Sequence, residues 1–326
     1  MDSKYSHFSK EERFYIQQRL ELGDSVSKIA NDLGRHRSSL YREIKRNTDD
    51  KFGFYVWLRA ENIAIERAAN TVRKEAFFTN ISNDANILLS EQFKVRSSPE
   101  QIAFLFKTNL GINISHQTIY RHIWKDKLAG GKLYLNLRRR GKKYRVKSKS
   151  STAEAATKIT NKVSIEHRIS KHMLKKEPGH YEIDTIYGLN QDSFLLTLVD
   201  IATEYTIVRK IPNKEALTVY NEIMAIISNK LLPFKSITSD NGTEFAKHQT
   251  IASELGISWY FCHPYSSWER GLNENTNGLI RDFYPKRTDF RYISEQAIIE
   301  VQNILNMRPR KTLDYLTPAQ AMVGML

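Results

Sequence analysis

Cysteine is nearly missing from this chain: Cys262 stands alone among 326 residues, which excludes an internal disulfide and a zinc site built on several thiolates. Long apolar runs are missing as well. No stretch approaches the ~18 apolar residues of a membrane helix, and the first residues lack the apolar core of a secretory leader. With these features absent, and with 40% hydrophobic residues to build cores, the chain reads as an intracellular protein of about two folded domains.

Net acidity is also lacking, but unevenly. The formal charge is +14, and residues 1–150 hold all of the excess, with 30 Lys and Arg against 16 Asp and Glu; residues 151–326 hold 20 of each. One half that grips a polyanion and another half with a different task accounts for such polarity, although a basic surface can also simply be solvated.

The first 50 residues carry helix-turn-helix arithmetic. Ser9 followed by Glu12 forms a capping box for a helix through Leu22, and Ser25 caps a short second helix with Val26, Ile29, Ala30 and Leu33 on its apolar face. Gly34 turns the chain into a third helix with Leu40 and Ile44 inward. Arg35, Arg37, Ser38, Ser39 and Arg42 are expected on its outer face, where they can reach base edges or phosphates in a DNA major groove. A three-helix bundle with a solvated arginine face is the alternative. Residues 51–97 follow a helical pattern without evident chemistry and are expected to act as a spacer.

A second helix start stands at Ser98-Pro99-Glu100-Gln101, again a capping box, here with proline at the first helical position. Residues 98–130 are expected to form a second helix-turn-helix-like module, with His116, Gln117 and Arg121 facing outward. A small structural bundle fits the same pattern. From residue 131 to 150 acid is absent altogether, against nine Lys and Arg that include Arg138, Arg139 and Arg140. Such a tract repels itself, so residues 131–175 read as a basic linker, part of which can order along DNA phosphates.

Beyond His180 the period changes to that of strands. Tyr181–Tyr187 alternates, Phe194–Ile201 is almost continuously apolar, and Tyr205–Ile211 pairs back; helices then alternate with strands at 234–239 and 257–262. Three strands followed by alternating helices and strands is the order of a ribonuclease-H-like α/β domain, expected over residues 176–326.

Within that order Asp184 falls in the middle of a strand, on the face shared with Glu182 and Ile186. Asp240 ends the fourth strand, and Glu274 follows after 33 intervening residues, near the start of a helix. A carboxylate in a central strand costs free energy unless it is compensated, and a divalent cation compensates it. Two hard cations about 4 Å apart can serve both the attacking and the leaving oxygen of a phosphodiester. Mg²⁺ suits oxygen ligands, with Mn²⁺ as the substitute, and Asp184, Asp240 and Glu274 are the expected ligands and catalytic residues. Singly each acid has a plainer explanation: Asp240-Asn241-Gly242 is a turn, Asp184 an edge-strand acid, and Glu274 a helix N-terminal acid. Arg281, two turns beyond Glu274, is placed to hold a substrate phosphate. His180 and His263 border the site, and Tyr265 and Trp268 precede the Glu274 helix, able to stack on a base or to pin the loop.

The segments Gly179–Gly188, Thr238–Phe245 and Tyr265–Arg281, the last followed by Phe283-Tyr284-Pro285-Lys286, closely resemble the DDE transposases of the IS-thirty family of bacterial insertion sequences. The resemblance spans nearly the whole chain. It implies a retroviral-integrase-like catalytic core with Asp184, Asp240 and Glu274 as the metal-binding triad. It further implies that the N-terminal part binds the terminal inverted repeats, that target DNA is joined through a linked or circular intermediate, and that the enzyme works on the bacterial nucleoid as at least a dimer. Glu269 and Leu272 depart from the family pattern, and the His2Cys2 zinc module of retroviral integrases has no counterpart. A degenerate, DNA-binding repressor of its own element is the alternative function; a ribonuclease or Holliday-junction nuclease on the same fold is a third.

Overall fold

The computed structural model describes residues 7–48, 53–75, 78, 81–140, 159–228, 231–264 and 266–326, the side chains at 69–75, 171 and 267 excepted. The chain divides into two compact units, Met1–Asn83 and Asp84–Leu326.

In the first unit, α1 (Lys10–Glu21), α2 (Val26–Asp32) and α3 (Arg37–Asn47) begin at Ser9, Ser25 and His36, and each cap side chain accepts a backbone N–H of the first turn. Ile16, Ile29 and Leu40, one from each helix, meet in a core from which solvent is excluded. The expected spacer is not featureless. Tyr55 and Ala60, the latter on α4 (Trp57–Glu75), join that core, and the buried Arg13 of α1 pairs with Glu43 of α3 at 2.7 Å and with Glu61 of α4 at 2.6 Å. A guanidinium with two carboxylates thus ties three helices together inside a small bundle.

The second unit opens with α5 (Asn83–Lys94), α6 (Pro99–Leu110) and α7 (His116–Leu128). Ser98 and Gln101 close the anticipated capping box, Gly111 ends α6 at a φ of 66°, and Ser115 caps α7. Between α6 and α7 residues 111–115 form no helix; the third helix of the group, α5, precedes the 98–130 segment. The described start of the basic tract, residues 131–140, continues from α7 as short turns, whereas Lys142, Lys143, Tyr144, Arg145, Lys147 and Lys149 lie outside the described residues.

After the short α8 (Lys171–Leu174) come β1 (His180–Tyr187), β2 (Phe194–Asp200) and β3 (Thr206–Ile211), then α9 (Ala216–Ser228), β4 (Ser236–Ser239), α10 (His248–Leu255), β5 (Ser258–Phe261), α11 (Gly271–Phe283), α12 (Glu295–Asn306) and α13 (Pro318–Met325). The sheet order is β3-β2-β1-β4-β5, antiparallel across the first three strands and parallel from β1 to β5. Side chains alternate across it. Tyr181 and Ile183 join the core that packs under α9 and α10, while Ile186 joins the one under α11 and α12. Both edges are covered. Asn306 of α12 pairs its amide with the backbone of Thr206 on β3, and the Phe261 N–H donates to the Val163 carbonyl. Residues 163–164 are therefore part of the sheet's border, although the sequence suggests a linker there.

Candidate active site

Strand register brings the first two acids together. His180, Tyr181 and Glu182 of β1 lie opposite Ser236, Ile237 and Thr238 of β4, and continuing that parallel register by two residues sets Asp184 beside Asp240. Because β1 is central in the sheet, Asp184 is no edge-strand acid. Asp240 does form the turn its sequence suggests, accepting the Gly242 N–H at 2.9 Å through Oδ1, and this leaves Oδ2 facing the site.

Between the two carboxylates lies a guanidinium. Arg270 donates from Nη2 to Asp240 Oδ2 at 2.9 Å and from Nη1 to the Ile183 carbonyl at 2.8 Å, and Nη1 stands 3.4 Å from Asp184 Oδ1. Burial pushes the Asp184 carboxyl up, an effect that Arg270 opposes and Asp240 reinforces. Burial pulls Arg270 down, but the two aspartates more than offset it, so its pKa is raised and the charge is kept.

Glu274 lies three residues before Asn277 on α11, on neighbouring positions of one helical face, and Arg270 holds the cap position at the start of that helix. Asn277 donates from Nδ2 to Asp184 Oδ2 at 2.8 Å, so the face that carries Glu274 is the one docked against Asp184. The Glu274 side chain itself is exposed, and among the described residues no hydrogen bond or ion pair joins it to either aspartate. Nor do any three acids, histidines or cysteines among the described residues cluster closely enough to hold a metal ion. The donor set is nevertheless of the right kind. Asp184 and Asp240 offer hard oxygens, and the place between them already accommodates positive charge.

The Glu274 helix is fixed at its start by a buried acid. Glu182, with no solvent exposure, accepts the Asn273 N–H at 2.9 Å in the first turn of α11, where the helix dipole favours negative charge. Thr197 of β2 places its hydroxyl 3.2 Å from the Asp184 carbonyl oxygen and 3.1 Å from Asn277 Oδ1. On the other side Glu244 is 5% exposed, pairs with Lys214 at 2.7 Å and accepts the Thr185 hydroxyl at 2.9 Å. A Cβ at Gly242 would press on the carboxylate ends of Glu244 and Asp240, which would have to shift.

The helix-turn-helix domain family matches residues 4–47, and the integrase core domain family matches residues 175–267. The transposase for insertion sequence element IS4351 of Bacteroides fragilis is 41% identical over 312 residues, covering 96% of this chain and 94% of that protein. Transposase InsI for insertion sequence element IS30C of Escherichia coli is 31% identical over 331 residues, covering 97% and 83%. The chain belongs to the IS30 family of transposases. Among solved structures, the catalytic core domain of BIV integrase is similar over 44% of this chain and 93% of that chain, with 21% identity and a TM-score of 0.36.

In this transposase the other residues singled out from the sequence lie as follows. Arg37 and Arg42 of α3 are exposed and Ser38 and Ser39 half-buried, whereas Arg35 sits in the turn before the helix and pairs with Glu12 at 2.9 Å, which ties that turn to α1. On α7, Gln117 and Arg121 are exposed and His116 is half-buried. Arg138 reaches Asn275 of α11 at 2.9 Å, and Arg140 donates to the Asp282 carbonyl; Arg139 is exposed. Arg281 donates to the Tyr187 carbonyl at 2.6 Å and borders a cavity that Lys286 and Arg287 share. His180 is buried against Ser236, and His263 closes the loop before α11 by pairing with Glu269 at 2.7 Å. Trp268 is 72% exposed, so it does not pin that loop; Tyr265 lies outside the described residues. Sequence reasoning missed Arg270, Glu182 and the amides at 273 and 277. The repeated asparagine at i and i+4 within a helix was the available signal, since each finds a partner on β1 or β2. No helix among the described residues is long and apolar enough to cross a membrane.

Proposed function

We propose that this transposase cleaves and joins DNA strands at a centre formed by Asp184, Asp240 and Glu274. The observation that carries the proposal is the Arg270 guanidinium held between Asp184 and Asp240, which marks a place built for a cation where the carboxyl end of β4 meets the middle of its parallel neighbour β1. Asp184 and Asp240 would hold a divalent metal with Glu274 as the third ligand. Bound there, Mg²⁺ or Mn²⁺ supplies Lewis-acid activation of the nucleophile and charge neutralisation at the leaving oxygen, and two ions match the chemistry of in-line displacement.

The chain's own residues do the rest. Asn277 and the Thr185 N–H orient the Asp184 carboxylate, Glu182 fixes the first turn of the Glu274 helix, and Arg270 holds the aspartates in place against their mutual repulsion. α3 and α7 are proposed to read the terminal inverted repeats through Arg37, Ser38, Ser39 and Arg42 and through His116, Gln117 and Arg121. Arg35 then serves by orienting α3, and Arg138, Arg139, Arg140 and Arg281 follow DNA phosphates. Pairing two element ends calls for at least a dimer on DNA.

The test is a cleavage and strand-transfer assay on oligonucleotide element ends. Asp184→Asn, Asp240→Asn and Glu274→Gln should each reduce both reactions to background while leaving end binding nearly intact. Normal cleavage by any one of them removes that residue from the centre.

A further inference from the structure

Beside α11, away from the aspartates, a cavity of about 570 Å³ lies between the catalytic helix and α7. Five arginines line it, Arg96, Arg138, Arg139, Arg308 and Arg310, against a single acid, Asp282. Arg310 pairs with Glu204 at 3.8 Å, but Arg308 is 4% exposed and among the described residues no carboxylate comes within ion-pairing distance of it or of Arg96. A guanidinium carries five donors, but Arg308 makes one hydrogen bond, to the Val95 carbonyl, and its Nε is buried with no acceptor. Burial, with Arg310 and Arg96 nearby, pulls its pKa down to about 10. Asp282 gives partial relief: its carboxyl is raised by burial but attracted by Arg138, Arg308, Arg96 and Arg140, so one acid is shared among four arginines. A fold that gathers this much positive charge around a buried, under-bonded arginine is incomplete without an anion.

The walls indicate which anion. Tyr120 and Trp124, one turn apart on α7, face the cavity and are each more than a third exposed. They share α7 with Gln117 and Arg121, while Leu279 and Asp282 on the opposite wall share α11 with Glu274. Asp282 lies eight residues beyond Glu274, about 12 Å along the helix axis. A duplex whose axis runs parallel to α11 advances about 3.4 Å per base pair along it, so 12 Å corresponds to roughly three or four nucleotides. We infer that this cavity holds a phosphodiester of the DNA strand three or four nucleotides from the bond being cut, with the adjoining nucleoside against Tyr120 and Trp124. The inference rests on the transposase reading and adds to it a fixed anchor between end recognition and the catalytic centre. A free phosphate offers the same chemistry, but it would leave the aromatic wall unused.

The test uses the full-length chain without divalent cation, so that binding is measured apart from catalysis. Element-end duplexes carrying single neutral methylphosphonate linkages are titrated in gel shifts against wild type, Arg308→Gln and Arg139→Gln, the last at an exposed position, with circular dichroism confirming that each variant is folded. In wild type, a neutral linkage three or four nucleotides from the cleaved bond should weaken binding roughly tenfold, as expected for one charge-assisted contact. Each variant should bind unmodified ends more weakly and lose the sensitivity at that linkage alone. Folded variants that keep it overturn the inference, as does inorganic phosphate stabilising wild type against heat as much as the element end does. Failure of the underlying reading shows differently, as a wild-type chain that prefers no element end over random DNA, and it removes this anchor as well.

Discussion

The Arg270 guanidinium bridges two carboxylates from different strands, standing 2.9 Å from Asp240 Oδ2 and 3.4 Å from Asp184 Oδ1. Without it the two acids would repel each other at the end of a buried sheet. On the proposed function, a divalent cation and Arg270 would compete for the same negative charge. Arg270→Ala should lower the metal-free thermal stability by about 1–3 kcal/mol, a range reduced from that of a fully buried pair because Asp240 is 42% exposed. The same change should increase the stabilisation that Mg²⁺ confers. Differential scanning calorimetry with and without Mg²⁺ checks both; an equal Mg²⁺ effect in the two proteins would show that Arg270 does not share the metal's place.

On α3 the exposed Arg37 and Arg42 are among the residues proposed to contact DNA. Replacing Arg42 by Ala should weaken specific end binding by about 1–3 kcal/mol if it reads a base, and should relax discrimination at one position. Arg35→Ala should act differently, since its partner is Glu12. It should lower the melting temperature of the first unit and weaken binding to every sequence alike. Binding to a panel of single-base variants of one element end separates the two outcomes.

Glu182 is wholly buried and fixes the first turn of α11 through the Asn273 N–H. Glu182→Ala leaves that donor without its acceptor and should cost about 1–3 kcal/mol in chemical denaturation. Strand cleavage should fall further than end binding, because the Glu274 helix loses its fixed start. Unchanged cleavage in a destabilised variant would limit Glu182 to holding the fold.

The loop that leads into α11 is held by His263 and Glu269 at 2.7 Å. The hydrogen bond to Glu269 raises the His263 pKa above 6.5, against the opposing effect of burial and with help from Glu166. Raised affinity for the proton in the folded loop means that the tether is fully present below the free imidazole value and is lost as pH rises through the folded one. Protection factors at residues 263–270, which remove the intrinsic base-catalysed rise in exchange with pH, should accordingly be higher at pH 6 than at pH 8, and His263→Gln should abolish the difference. Equal protection factors at both pH values in wild type would refute the tether.

Much of this architecture is carried by local signals. The caps at Ser9, Ser25, Ser98 and Ser115 and the period change after His180 depend on neighbours a few residues apart, so they are legible without a fold. The positions of Asp184 in a central strand and Asp240 after its parallel neighbour follow from the same patterning, as does Glu274 in the first turns of a helix. Whether those acids meet anything is a different matter. Arg270 reads as an ordinary helix-start residue until parallel pairing of β1 with β4 brings Asp184 and Asp240, 86 and 30 positions away, to its guanidinium. Glu182 reads as one more acid in an alternating strand until α11 lays its first turn upon it. The helical stretch after residue 53 reads as a spacer because its partners, Arg13 and Glu43, lie earlier in the chain. Periodicity and capping act over one or two turns and are written into the sequence itself. Compensation of buried charge acts through space, and only the tertiary structure decides which charges meet.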